Sequence, residues 1–162
     1  MYNNYIKKVG NTNGGYLMNW KIKKFKELNI EELYKILALR NEVFIVEQEC
    51  PYLDCDDKDF NSYHLFSEEN GEIVSYLRII ENENSQISIG RVIVRKNYRK
   101  KGIAREMMLK AIEFVENNLK EDVIKIQAQA YLLDFYSSLG FKAISEEYLE
   151  DNIPHIDMIY KK

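Results

Sequence analysis

The sequence predicts an α+β, or mixed α/β, fold built around one central sheet. Three observations predict it. Residues 63–95 read as three consecutive strands joined by tight turns, the pattern of an antiparallel meander. A 3.6-residue apolar stripe follows from Gly102 onward, the mark of an amphipathic helix. The alternating segment 123–128 then returns as a strand, so the helix serves as a βαβ crossover on the same sheet. The chain has 162 residues, the length of one ordinary domain, with no internal repeat and no shift of composition after about residue 18.

Taken in order, residues 18–26 set Trp20 and Ile22 among lysines and read as a first strand. Asn29 is placed to cap a helix, with Glu31 and Glu32 favourable in its first turn. Leu33, Ile36, Leu37, Arg40, Val43 and Phe44 carry helical spacing to about residue 46. Pro51 and the aspartates 54, 56, 57 and 59 mark a loop, read as an exposed acidic segment. Asn70-Gly71 is a two-residue hairpin turn between strands 63–69 and 72–81. Residues 82–85 turn again into a strand over 86–95, with Gly90 inside it. After strand 123–128, a short helix over about 131–138 ends at Gly140. A strand begins at 141–145, and the alternating segment 155–160 closes the sheet.

Composition excludes several functions. Lys plus Arg total 23 against 26 Asp plus Glu, a net charge of −3, so a nucleic-acid partner is not expected. Two cysteines and two histidines, without paired C-x2-C spacing, predict neither a disulfide framework nor a metal site, and the reading is free thiols in a cytoplasmic protein. No apolar run has the length of a membrane span. Residues 1–17 are rich in Asn and Gly, lack a secretory apolar region, and read as a disordered arm or an upstream-start extension. The fold is expected over 18–162.

The chemistry concentrates at Arg95 to Gly102. Five of the seven residues from Arg95 to Lys101 are basic and none is acidic, in a chain that is acidic overall. The run lies directly before a helix N-terminus, where unpaired N–H groups and the helix dipole attract anions. It is neither a Walker loop nor a dinucleotide-binding turn. From charge alone it is either a solvated basic loop or a pyrophosphate socket.

Arg99-Lys100-Lys101-Gly102-Ile103-Ala104 resembles the R/Q-x-x-G-x-G/A signature of the GNAT acetyltransferases, with Ala in the last place. Phe135-Tyr136-Ser137-Ser138-Leu139-Gly140-Phe141 resembles the F-Y-x-x-x-G-F of the same family. The order of elements matches over about residues 18–160. Phe44 to Tyr52, His64-Leu65 and Ile89 to Val92 resemble the ElaA-like subgroup.

The resemblance implies a mostly antiparallel sheet flanked by helices, splayed at a βαβ cleft that takes acetyl-CoA as co-substrate, without a metal. It implies that Arg99, Lys100, Lys101, Gly102, Ile103 and Ala104 hold the phosphates. Val92, Ile93 and Val94 would pair with pantetheine, and the amide of Val92 or Ile93 would polarise the thioester. Gly90 or a neighbour would carry the bulge that opens the cleft. Tyr136 would protonate the departing thiolate. His64 is either the base or a structural histidine. Glu47 and Glu49, at the end of the first helix, and Arg91, a charge in an apolar strand, are candidates for the acceptor side. The expected activity is acetyl transfer to a primary amine of a small molecule or peptide by direct attack, or else non-catalytic acyl-CoA binding. A homodimer through the last strands is open by analogy, and no membrane partner is expected.

Overall fold

The computed structural model describes residues 18–84 and 86–162. The expectation for residues 1–17 and one residue of the turn at 82–85 lie outside them. The first strand, β1, spans Asn19–Lys24 and leads through a 3-10 turn to helix α1, Ile30–Arg40. Asn29 and Glu32 form a reciprocal cap at its start: Glu32 N–H donates to Asn29 Oδ1 at 2.8 Å, and Asn29 N–H to Glu32 Oε2 at 3.1 Å. The expected helix to residue 46 is present, but its last turns, Asn41–Glu47, widen into π-helical winding, with Gln48 N–H reaching back to Val43 O at 3.2 Å.

Strands β2 (Ser62–Glu69), β3 (Glu72–Glu81) and β4 (Ile87–Val94) form the expected meander. Asn70 and Gly71 both take positive φ, 51° and 79°, as a two-residue hairpin with the twist of its strands requires. Helix α2, Ile103–Phe114, crosses over to β5, Val123–Gln129, which lies parallel to β4. A short helix α3 (Leu133–Ser137) and strands β6 (Lys142–Ala143), β7 (Tyr148–Glu150) and β8 (Ile153–Lys161) complete the order. The sheet runs β1-β2-β3-β4-β5-β8-β6, with β7 also paired to β8. All its pairings are antiparallel except β4 with β5. Strand β7 was not foreseen: its three residues are too few to show a period.

Two apolar layers cover the sheet. On one face Met107, Met108, Ala111 and Val115 of the α2 segment bury against Leu65, Leu77, Ile79, Ile87, Ile89, Ile124 and Ile126. On the other, Ile36, Leu39 and Val43 bury against Phe66, Ile73, Tyr76 and Ile93. β3 is covered on both faces, which explains its nearly continuous apolar reading. Among the described residues no helix is long and apolar enough to cross a membrane.

The acidic loop differs from its expectation. Asp54, Asp56 and Asp59 are drawn inward by arginines, and of the four aspartates only Asp57 is exposed. Arg40, wholly buried at the end of α1, donates from Nε to Asp54 Oδ2 and from Nη1 to Asp59 Oδ1, both at 2.7 Å. Arg78 of β3 grips Asp56 with both Nη atoms at 2.7 and 2.5 Å and reaches Asp59 at 3.0 Å. A buried guanidinium needs such partners, because desolvation of an unpaired charge costs several kcal/mol. The run of aspartates therefore fastens residues 54–59 to the sheet.

His64 belongs to this network. Its Nε2 lies 3.0 Å from the Asp59 carbonyl, which can only accept, so Nε2 carries the proton and Nδ1 accepts from the Tyr76 hydroxyl at 2.8 Å. Burial pushes its pKa below the ordinary 6.5. The unfolded chain then binds more protons than the folded one near that pH, so this stability is present above about 6.5 and drains as pH falls. Thermal melting from pH 7.5 to 5 should show a falling Tm for the wild type. A shallower slope is expected in His64→Gln, and an equal slope would remove His64 as the cause.

Candidate active site

The site begins where one ladder stops. β4 and β5 pair only at Ile87–Ile124 and Ser88–Lys125 and then separate. The cause lies on β4, where the register with β3 shifts between Tyr76–Ile93 and Arg78–Gly90, leaving an extra residue opposite Leu77. Arg91 takes φ 56° there, so the bulge centres on Arg91 rather than on Gly90. A non-glycine residue in this region costs on the order of 1 kcal/mol and needs support from its surroundings. Arg91 Nε donates to Asp54 Oδ1 at 2.6 Å, and its guanidinium lies over the rings of Phe44 and Tyr52 at 5.7 and 5.4 Å. Tyr52 donates to the same Asp54 oxygen at 2.8 Å. Asp54 thus ties the bulge to α1 through Arg40, and its carboxyl is held below the usual range by those arginines despite burial.

Separation leaves a cleft of about 990 Å³, lined on β4 by Gly90 to Val94 and on β5 by Lys125, Ile126, Gln127 and Gln129. Arg95 N–H donates to Val74 O across β3 at 2.8 Å. Strand alternation then turns Ile93 toward β3 as well and points the N–H and C=O of Val92 and Val94 into the cleft. The Val94 carbonyl accepts from Arg99 Nε at 2.8 Å.

At one end of the cleft the basic run forms a 3-10 turn, Lys96–Tyr98, and passes through two left-handed residues, Lys100 at φ 61° and Gly102 at φ 79°. α2 starts at once. Its first internal bond is Glu106 N–H to Gly102 O, so the N–H groups of Ile103, Ala104 and Arg105 have no partner inside the helix. A second cavity of about 230 Å³ lies against this terminus, lined by Arg99, Lys100, Gly102, Ile103 and Ala104 among others. Lys101 lines neither cavity and lies over the Tyr98 ring at 5.1 Å. A Cβ built on Gly102 would meet no atom within 4 Å, so it is the positive φ that demands glycine.

Tyr136 of α3 lines the cleft and is only 5% exposed. Burial pushes its phenol up, so it stays protonated at neutral pH. Gly140, at φ 94°, ends the helix and lets Phe141 N–H return to Tyr136 O at 3.2 Å, placing the Phe141 ring 6.0 Å from that of Tyr136. The F-Y-x-x-x-G-F spacing is thus a helix stop that packs around one tyrosine.

The other candidates separate. Glu47 lines the cleft, but its carboxylate is held by Arg99 in a two-pronged ion pair, which lowers its pKa. Glu49 is exposed and does not line the cleft. His64 lies in the Arg40–Asp59–Tyr76 network, with both ring nitrogens occupied, and does not line it either. The far end opens onto residues that sequence reasoning passed over. Gln48, Cys50, Tyr52 and Leu53 form one wall, and Gln127, Gln129, His155 and Asp157 form the other. Gln129 Nε2 donates across to Gln48 Oε1 at 3.3 Å. The polar face of the 155–160 strand was the available signal. Among the described residues no group of three or more His, Cys, Asp or Glu could hold a metal ion.

The family model described as "Acetyltransferase (GNAT) domain" matches residues 29–162. The chain belongs to the GNAT acetyltransferase family. It is 37% identical over 146 residues to protein ElaA of Escherichia coli, covering 88% of this chain and 95% of that one. A UPF0039 protein of Schizosaccharomyces pombe is 40% identical over 138 residues, 84% of this chain and 92% of the relative. The crystal structure of Escherichia coli ElaA superposes with a TM-score of 0.85 at 36% identity, covering 89% and 99%. An acyl-CoA N-acyltransferase from Pseudomonas aeruginosa does so with 0.83 at 37%, covering 87% and 98%. The expected GNAT fold and ElaA-like resemblance are therefore correct.

Gly102→Ala should destabilise the fold by roughly 1 kcal/mol, since alanine must adopt a left-handed conformation in open space. Urea denaturation reads this directly. An unchanged midpoint would mean that the turn before α2 relaxes without strain.

Proposed function

We propose that the protein transfers an acetyl group from acetyl-CoA to a primary amine by direct attack in a ternary complex. The observation that carries this is the splayed β4–β5 cleft, which opens at one end onto a cationic helix N-terminus and at the other onto a polar chamber. One cleft can then hold the cofactor's phosphates and the acceptor on opposite sides of the thioester.

In this reading the N–H groups of Ile103, Ala104 and Arg105 take the pyrophosphate, with Arg99 and Lys100 adding charge. Gly102 supplies the turn that presents them. The Val92 and Val94 backbone groups pair with the pantetheine amides. Between the two expected polarisers, strand alternation favours Val92, whose N–H points into the cleft, over Ile93. Tyr136 gives its proton to the thiolate as the C–S bond breaks. A buried phenol remains a proton donor over the working pH range, and the thiolate is more basic in the same dry surroundings. Glu47 acts through Arg99, holding its guanidinium at the cleft rim.

Isothermal titration with acetyl-CoA should give a single site, and no binding at millimolar ligand would end the reading. Mass spectrometry of a panel of diamines, polyamines, aminoglycosides, amino acids and lysine-containing peptides should then find an acetylated product. Tyr136→Phe should lower kcat by about 10²-fold or more while leaving acetyl-CoA affinity within about threefold. CoA binding without transfer to any amine would make the protein an acyl-CoA-binding module instead.

A further inference from the structure

We infer that His155 is the general base of the acceptor half of the cleft, taking a proton at Nε2 from an amine that arrives as a cation. This rests on the acetyl-transfer reading above.

The first observation is position. Gln129 lies four residues beyond Lys125, the last β5 residue paired with β4, so it stands near the height of Val92 and Ile93. His155 is its direct partner on β8. Paired residues share a face, so His155 and Gln129 look to the same side of the sheet, and both line the cleft. That side is opposite the α2 core, in which Ile124, Ile126 and Ala128 are buried. His155 therefore lines the cleft at the level of the proposed thioester, on the side away from α2.

The second observation is the tautomer. His155 Nδ1 lies 2.8 Å from the carbonyl oxygen of Ile153, two residues earlier, which can only accept. Nδ1 therefore carries the proton, and the lone pair of the neutral ring is on Nε2. The ring is stacked on Tyr148, centroids 6.2 Å apart at 28°, which holds its plane. Tyr148 is itself fixed by donating to Asp157 Oδ1 at 2.7 Å and accepting from Gln127 Nε2 at 3.1 Å. His64 has the opposite arrangement, with its Nδ1 lone pair already used by Tyr76.

The third observation is elimination within the cleft. Glu47 is bound to Arg99, and Asp56 to Arg78. Tyr52 is donating to Asp54. Tyr136 is a buried phenol. Lys58 and Lys125 are cations. His155 alone among these wall residues presents an unoccupied nitrogen lone pair, at Nε2. The charged and titratable groups around it are Tyr148 and Glu150 on β7, Asp151 on the following turn, Asp157 on β8, Tyr131 before α3, and Cys50, whose thiol donates to Asp151 O at 3.8 Å. Glu150, Asp151 and Asp157 make this wall acidic, whereas Arg78 and Arg91 opposite are neutralised by Asp54 and Asp56. The chamber thus favours an ammonium over a carboxylate-rich acceptor.

The step balances simply. The ammonium R–NH3+ loses one proton to Nε2, giving the free amine and an imidazolium that later discharges to solvent. The amine nitrogen bonds to the acetyl carbon, and the C–S bond breaks. The thiolate takes the Tyr136 proton, and the second amine proton restores the phenol. The net products are the amide, CoA thiol and one released proton.

With the amine of highest kcat/KM in the panel above, the wild type should show an acid limb of kcat/KM. His155→Gln should lose that limb and about 10²-fold or more in kcat, with acetyl-CoA affinity unchanged. Added imidazole should partly restore His155→Ala. A His155→Gln enzyme within threefold of wild type that keeps the acid limb would overturn the assignment. Nitrogen NMR of histidine-labelled protein gives a measurement that needs no acceptor or active variant, since the chain has two histidines. A resting Nδ1–H tautomer for His155 is expected, and an Nε2–H tautomer would also overturn it. A wild type that binds acetyl-CoA but acetylates no amine would overturn the transfer reading on which the base depends, an outcome distinct from a dispensable His155.

Discussion

Asp54 is the residue on which the cleft depends. Its carboxylate and carbonyl accept from Arg40 at the end of α1, from Arg91 at the β4 bulge, and from Tyr52 on the connecting loop. It thereby joins three pieces of chain remote in sequence. A left-handed arginine inside a strand is unfavourable by itself. Here that cost is offset by a charge-assisted hydrogen bond and by two aromatic rings beneath the guanidinium. Without the bulge, β4 would continue its ladder with β5, and the backbone groups of Val92 and Val94 would be consumed in it.

The network also explains how an acidic protein keeps a cationic socket. Arg40, Arg78 and Arg91 are spent on Asp54, Asp56 and Asp59, so those carboxylates do not draw on the basic run 95–101 before α2. Arg95 and Arg99 are themselves partnered by glutamates at the rim. The result is a field divided along the cleft, positive at the helix terminus and negative around β7 and β8. Such a division suits the proposed reaction, which brings an anionic cofactor and a cationic amine to one carbon.

Much of this was legible in the sequence. Turn chemistry at Asn70-Gly71, the cap at Asn29 and the α2 stripe are local devices, and each appears where the local rules place it. The two family-like motifs also sit in the expected elements, because each is a local backbone feature: a left-handed glycine before a helix, and another that ends one. β7 and the inward turn of the aspartates were not legible. Three residues carry no period, and a run of Asp looks the same whether it meets water or buried arginines. Arg40 and Arg78 in apolar surroundings were the available hint, since buried guanidinium groups require anions.

By itself the sequence determined the meander, the crossover helix and the basic run placed before it, because each depends on turn residues and periodicity within a short stretch of chain. Tertiary structure decided which histidine has an available nitrogen. His64 and His155 both lie on alternating strands and look equivalent in the sequence. One is enclosed by Tyr76 and the Asp59 carbonyl, and the other is turned into the cleft with Nδ1 occupied. That difference comes from strand pairing between β5 and β8 and from a loop folded onto β2 and β3. Contacts between segments far apart in the chain leave no periodic trace in it.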